Sequence, residues 1–409
     1  MIERIEDLLR LLGDAPEMFR KWDLPIFRSP DLLNVLGGTA REEIGNLARH
    51  ALATGLRNMG DAAALLVGIL AAVMGKSAVR GAVDRKVASR SGTHRPLLRS
   101  LGLASSGIAA LLGAGRLAAI VSDTEEKAPP LPKRALGSMR FNASILGMGG
   151  ACLPRGSADE TVALLNAALE AGINYFDTAS QYGNGESERR IGLWLEALEA
   201  EGRRGEVFVA TKTLSRGYRQ AAEEIDNSLT RLRTEYVDLL QVHAINDLDT
   251  WGTVKARNGS LRAIEAVHRE GRVKHIGITG HKNPEVVLQA LDEYPFESVL
   301  CPLGITDRFQ NPFVERLLPV LVERHLSVVA MKVYAEGKLP EAEADLEKCL
   351  HYTLSLPVST AIVGMSRLSE LVQNVAWVHT YLGMTEEEIE ALGEQILGLI
   401  DLKSLWWKQ

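Results

Sequence analysis

The sequence predicts an α/β protein, a closed (β/α)8 TIM barrel preceded by a small all-α N-terminal extension. Three observations carry that expectation. From Arg134 onward, eight short apolar segments alternate with eight amphipathic ones. The short segments are apolar throughout rather than at every second position, as strands buried on both faces are, which favours a closed parallel barrel over an open sheet. The chain has 409 residues where a barrel commonly takes about 250, leaving room for an extension.

Residues 1–122 form the expected extension. Ile5, Leu8, Leu9 and Leu12 repeat at helical spacing, and residues 42–59 read as a second helix. Two very apolar segments follow, 62–75 (AAALLVGILAAVMG) and 101–115 (LGLASSGIAALLGAG), each short of the roughly 18 to 20 residues of a membrane span. Their connector, 76–99, carries seven Lys or Arg against the single acid Asp84. Three readings stay open: a helical bundle packed on the barrel or on a second copy or partner protein, shallow insertion into an anionic membrane surface, or a spanning hairpin. A spanning hairpin with a cytoplasmic connector would put the barrel outside, away from cytosolic nucleotides. The expected location is therefore cytoplasmic, at the inner membrane face if the extension inserts.

Residues 123–133 (DTEEKAPPLPK) combine charge with three prolines and read as a semi-rigid linker. The barrel is expected over 134–384. Strand ends are expected near 145–148, 175–177, 207–211, 237–242, 275–278, 298–300, 328–331 and 361–363. Helices are expected over 159–171, 187–200, 218–232, 260–270, 284–291, 312–324, 342–355 and 368–381. A C-terminal helix and tail fill 385–409.

Composition narrows the function. A net charge of −6 argues against a dedicated nucleic-acid binder. Cys152, Cys301 and Cys349 lie far apart without metal-ligand spacing, which points to a reducing compartment and to no metal site. The acidic amphipathic N-terminus lacks the central apolar run of a secretory signal. No GxGxxG stands at the first strand–helix turn, so the usual dinucleotide fingerprint is missing.

The chemistry gathers around NYFDTASQYGNGESE, 174–188. Asp177 ends an apolar strand and Tyr182 stands in the polar loop beyond it. Lys212 and His243 occupy similar positions after VFVAT and YVDLLQV. Singly, each has an ordinary use as a cap, a solvated strand end, a loop aromatic or a core histidine. Together, four ionisable types at one barrel face suggest a proton-transfer site. Of the other barrel histidines, only His281, just past a strand end, is a further candidate.

In order along the chain, LGMGG, NYFDTASQYGNGESERRIG, VFVATKT, SLTRLRTEYVDLLQVH, GRVKHIGITGH and AIVGMSRLSELVQN resemble the motifs of aldo-keto reductases. The resemblance runs from about Arg134 to Thr380, including an entering hairpin that closes the barrel bottom, and leaves residues 1–122 uncovered. It implies an NAD(P)H-dependent oxidoreductase that reduces an aldehyde or ketone, or runs the reverse reaction, with Asp177, Tyr182, Lys212 and His243 as catalytic tetrad. Tyr182 would donate the proton, Lys212 would lower its pKa, Asp177 would hold the lysine, and His243 would orient the carbonyl.

The same resemblance implies cofactor contacts from Thr279, Met331, Lys332, Gly364, Ser366, Arg367, Gln373 and Asn374, with NADPH as cofactor and NADH as the alternative. Glu370 stands where many members place an arginine for the 2′-phosphate, which favours the alternative. Lys332 is open between a phosphate contact and a solvent-facing charge. Leu153 and Tyr218 are pocket candidates, and Trp406 and Trp407 would either wall the substrate site or pack elsewhere. A second function stays open, a redox-sensing subunit docked to a partner through residues 1–122. The intact tetrad favours the enzyme.

Overall fold

The computed structural model describes residues 130–409. The expectations for the extension and for most of the linker lie outside the described residues. The chain enters as a hairpin, β1 (Lys133–Leu136) and β2 (Met139–Ser144), paired antiparallel. Eight parallel strands then close on themselves: β3 (Leu146–Gly149), β4 (Tyr175–Asp177), β5 (Phe208–Thr213), β6 (Val237–Val242), β7 (Val273–Thr279), β8 (Ser298–Pro302), β9 (Ser327–Met331) and β10 (Thr360–Gly364). Neighbours follow chain order, and β10 pairs with β3 to complete a (β/α)8 barrel.

Two layers of apolar side chains explain the unbroken apolar strands. Leu136, Met139 and Ala143 of the hairpin join Tyr175, Phe208, Leu239, Leu300, Val329 and Ile362 in a cluster inside the barrel. Since Tyr175 and Phe208 open their strands, the hairpin plugs the bottom and leaves the carboxyl ends as the free mouth. A larger cluster fills the space between barrel and helices, with Trp194, Trp251 and Phe313 among its buried members. A third gathers around the C-terminal helix Glu386–Leu399, holding Leu392, Ile396, Leu405 and Trp407.

Two expected helices differ and one is added, each for a local reason. The helix expected over 312–324 is broken into Phe313–Arg316 and Leu318–Glu323. Pro319 lies in the first turn of the second piece, where its missing N–H costs nothing, but it could not sit inside one continuous helix. The helix expected from 342 starts at Leu346, where the Asp345 side chain caps the Lys348 N–H. An additional helix, Leu248–Lys255, forms after β6, started by the Asp247 carboxylate on the Thr250 N–H at 2.7 Å. Among the described residues, no helix is long and apolar enough to cross a membrane.

Candidate active site

Adjacent strand ends at the barrel mouth bring the candidate residues together. Asp177 is the last residue of β4, Lys212 the penultimate residue of β5, and His243 follows β6. All three are buried, at 3%, 1% and 3% exposure. The Lys212 ammonium pairs with the Asp177 carboxylate, donates to the Thr178 carbonyl at 2.7 Å and reaches the Tyr182 hydroxyl at 3.4 Å. Gln241, buried on β6, donates its amide N–H to the other Asp177 oxygen at 3.1 Å. The His243 ring meets the Tyr182 ring edge-on, 6.5 Å between centroids.

The loop that presents the phenol depends on its glycines. Gly183, Asn184 and Gly185 run consecutively through the left-handed region at φ +59°, +54° and +84°. A Cβ at Gly185 would stand 2.6 Å from the Arg231 side chain, and one at Gly183 2.7 Å from Pro154. Tyr182 therefore sits on a turn that other residues would strain.

Sequence reasoning missed the groups that hold this loop. Glu188 is fully buried and accepts from Thr211 Oγ1 at 2.6 Å and from Arg231 Nε at 2.7 Å, tying the following helix to the strand that carries Lys212. Ser187 donates to the Gly150 carbonyl at 2.8 Å and contacts Thr178 Oγ1 at 2.8 Å. Glu224 accepts from Ser180, Thr213 and the backbone of Leu214 and Ser215, joining the loops after β4 and β5. A carboxylate inside a helix pattern gives no such signal in sequence.

Burial sets the proton states. Burial pushes Asp177 up against the pull of Lys212 and Gln241. It works against the Lys212 ammonium, but Asp177 and then Tyr182 outweigh it and hold Lys212 above the usual lysine range. For Tyr182, burial outweighs the Lys212 ammonium and the phenol lies above its ordinary value. The expectation of a net lowering is thus corrected: the cation pulls in the expected direction, but desolvation of a phenolate is the larger effect. His243 is driven down to about 2 by burial first, then by Lys212 and His281. Its imidazole is neutral and can donate or accept without carrying charge.

Residues 145–349 match the model of the Aldo/keto reductase family, half of the chain. The chain belongs to the aldo/keto reductase family. Its members include oxidoreductases. This family member is 30% identical to L-galactose dehydrogenase of Arabidopsis thaliana over 65% of its own length and 95% of the relative's. It is 29% identical to an uncharacterized oxidoreductase, YqkF, of Bacillus subtilis, over 64% of its own length and 95% of the relative's. The solved aldo-keto reductase AKR11C1 of Bacillus halodurans, in its holo form, is similar at 27% identity and a TM-score of 0.54, covering 64% of this chain and 96% of that one.

In this aldo/keto reductase the remaining candidates divide. Met331 ends β9 half-buried against the inner cluster, and Gly364 is exposed at the end of β10. Thr279 is fully buried at the end of β7, where its hydroxyl accepts from the Ala244 N–H at 2.7 Å. Lys332 is not a solvent-facing charge: its side chain is 9% exposed, paired with Glu336 and set 5.1 and 4.7 Å from the Trp406 and Trp407 rings. Asn374 is buried and held by the Tyr334 hydroxyl at 2.5 Å and the Glu370 carbonyl at 2.7 Å, whereas Gln373 is exposed on the same helix.

Two pocket candidates are corrected. Leu153, in the short 3-10 helix Gly150–Arg155, is buried in the cluster between barrel and helices rather than lining an open pocket. Trp407 is fully buried in the C-terminal cluster, so of the aromatic pair only Trp406 faces the mouth, 5.8 Å from the His281 ring. Tyr218 is 44% exposed at the start of helix Tyr218–Leu232 and makes no ring contact with the tetrad among the described residues.

The adenine-end candidates carry an internal anion. The Glu370 carboxylate accepts from the Ser366 N–H at 2.6 Å, the Ser366 hydroxyl at 3.2 Å and the Arg367 N–H at 3.2 Å, and lies 3.5 Å from Arg367 Nε. In barrels, the loops after the last two strands with a helix N-terminus are a common phosphate site. Here that site's donors already have an acceptor. The chemistry of these mouth residues is compatible with a nicotinamide dinucleotide.

Proposed function

We propose that this family member is a nicotinamide-dinucleotide-dependent oxidoreductase that interconverts a small aldehyde or ketone and its alcohol, with Tyr182 as the proton donor. The observation that carries it is the chain from buried Asp177 and Lys212 to half-buried Tyr182, in which a fixed cation stands 3.4 Å from a phenol oxygen. The bound nicotinamide would supply the hydride.

The residues present do the rest. As negative charge grows on the substrate oxygen, Tyr182 gives up its proton to it, and the adjacent ammonium stabilises the phenolate left behind. Lys212 stays charged because Asp177 compensates it, and Asp177 stays in place because Gln241 holds its second oxygen. A raised phenol pKa keeps the proton available at neutral pH, and the cation matters at the moment the proton leaves. The neutral His243 would donate a hydrogen bond to the same oxygen and fix its approach.

Thr279, Met331, Gly364, Ser366, Arg367 and Gln373 would hold the dinucleotide. The Glu370 carboxylate on the helix N–H groups favours NADH over the NADPH expected from the family at large. The relative named L-galactose dehydrogenase suggests sugars among the carbonyl compounds to test.

Single-turnover mixing of the protein with NADH or NADPH and a panel of aldehydes tests the reading. Cofactor oxidation should be fast in the wild type and fall by about 10²- to 10⁴-fold in Tyr182→Phe, with dinucleotide binding retained. Equal rates in both proteins would sink the assignment of the donor.

A further inference from the structure

The segment that carries Tyr182 is tied on both sides to the strand that carries Lys212, and each tie is a carboxylate. Thr211 and Thr213 flank Lys212 on β5 and by strand alternation face away from it. Thr211 donates to Glu188, beyond Tyr182 in the chain, at 2.6 Å. Thr213 donates to Glu224, which also accepts from the hydroxyl of Ser180, just before Tyr182.

The two carboxylates differ in their partners. Glu188 is fully buried and ion-paired with Arg231 at 2.7 Å, so its loss would disturb the core as well as the tie. Glu224 is half-buried and accepts four bonds from neutral donors: the Ser180 and Thr213 hydroxyls, the Leu214 N–H at 3.2 Å and the Ser215 N–H at 2.9 Å. Burial works against its charge, but the bonds from Ser180, Thr213 and Ser215 outweigh it and hold the carboxyl below the usual glutamate range. It is an anion at neutral pH and accepts from all four.

Resting on the oxidoreductase reading, we propose that Glu224 is a positioning residue, which sets the separation of the Tyr182 hydroxyl from the Lys212 ammonium by holding Ser180 and Thr213 on one carboxylate. Asp177 and the Thr178 carbonyl hold the ammonium, but among the described residues the phenol oxygen has a hydrogen bond to Lys212 alone. The place of the phenol is therefore set by its loop. At 3.4 Å that contact is at the long edge of a hydrogen bond, and a further shift of the loop breaks it. Glutamine at position 224 would keep the size but put an amide N–H where the Leu214 or Ser215 N–H needs an acceptor.

The test follows single-turnover oxidation of NADH with saturating 4-nitrobenzaldehyde. Glu224→Gln should slow the step by about tenfold or more and Ser180→Ala by about threefold or more, since a misplacement of about 1 Å is worth about 10²-fold. Neither change should slow Tyr182→Phe further, because the hydroxyl that they position is gone. A carboxylate that served only the fold would slow both backgrounds alike. In the same proteins without ligand, the Tyr182 ¹³Cζ resonance, assigned by its loss in Tyr182→Phe, should shift or broaden in both variants. Unchanged rates, equal slowing in both backgrounds or an unmoved resonance would overturn the proposal. If Glu224→Gln does not fold, Ser180→Ala carries the comparison, since it leaves the carboxylate its other three donors. A wild type that oxidises no cofactor with any aldehyde would remove the oxidoreductase reading instead, and the resonance alone then decides whether Glu224 places Tyr182.

Discussion

Replacing Gln241 by glutamate would place a second carboxyl where an amide N–H now meets the Asp177 carboxylate at 3.1 Å. Two charges at that separation repel by about 5 kcal/mol at an effective dielectric constant of 20, or about four pKa units. Lys212 is the cation at hand and is already engaged with Asp177, Thr178 and Tyr182. Gln241→Glu should therefore fold with a proton on the new acid, which then mimics the amide donor. The cost is the free energy of holding that proton. With an unfolded glutamate near pKa 4.3, it is about 1 kcal/mol at pH 5 and about 3.7 kcal/mol at pH 7.

The sign follows from linkage. The folded pKa is raised, so the contribution of the new acid is complete below pH 4.3 and is lost as pH rises toward the folded value. Urea unfolding of both proteins at pH 5, 6 and 7, followed by tryptophan fluorescence, should show the difference widening by about 1.4 kcal/mol per pH unit. The intrinsic pH dependence from His243 and His281 is common to both proteins and cancels. A flat difference over this range would mean that the Asp177 pocket is wet, and the argument that burial governs the tetrad would fail.

Other perturbations test the remaining contacts. Glu370→Ala frees the Ser366 and Arg367 N–H groups and should raise NADPH affinity relative to NADH by about tenfold or more, measured by dinucleotide fluorescence titration. Lys408→Met strands the buried Asp307 carboxylate and should weaken the hold on the C-terminal tail by about 3 to 5 kcal/mol, read as increased acrylamide quenching of tryptophan fluorescence. Because His243 and His281 are held near 2 and 3, neither should titrate between pH 5 and 8. Two imidazole resonances should stay at neutral chemical shifts over that range, and folded stability should fall as pH drops below about 6.5, where only the unfolded chain takes up these protons.

The barrel was legible because its strands have one pattern and one reason for it. Segments such as Val237–Val242 are buried on both sides, so an unbroken apolar run identifies them, and the strand ends then place Asp177, Lys212 and His243 on one rim. What failed to show depends on contacts distant in sequence. Glu188 and Glu224 look like ordinary helix-surface acids until residues 23 and 11 positions away, Thr211 and Thr213, are seen against them. The roles of Trp406 and Trp407 divide for a similar reason. Adjacent aromatics are alike in sequence, and only the packing of Ile396 and Leu405 around one leaves the other at the mouth. The direction of the Tyr182 shift is hidden in the sequence, which shows a lysine that could approach but not the desolvation that outweighs it.

The balance between burial and the nearby cation bears on how the site works. A cation that simply made Tyr182 acidic would leave part of the phenol ionised near neutral pH, and an ionised phenol cannot donate. Burial keeps the hydroxyl intact, while Asp177 and Gln241 keep the ammonium charged and aimed at it. On the proposed mechanism, the two opposing influences would separate the resting state, where desolvation dominates, from the moment of proton transfer, where the ammonium at 3.4 Å would. Lys212→Met should therefore remove turnover, while ultraviolet difference titration of the wild type against Tyr182→Phe should show no Tyr182 phenolate below pH 9. Phenolate absorbance from Tyr182 below pH 9 in the wild type would reverse the assignment of burial as the stronger influence.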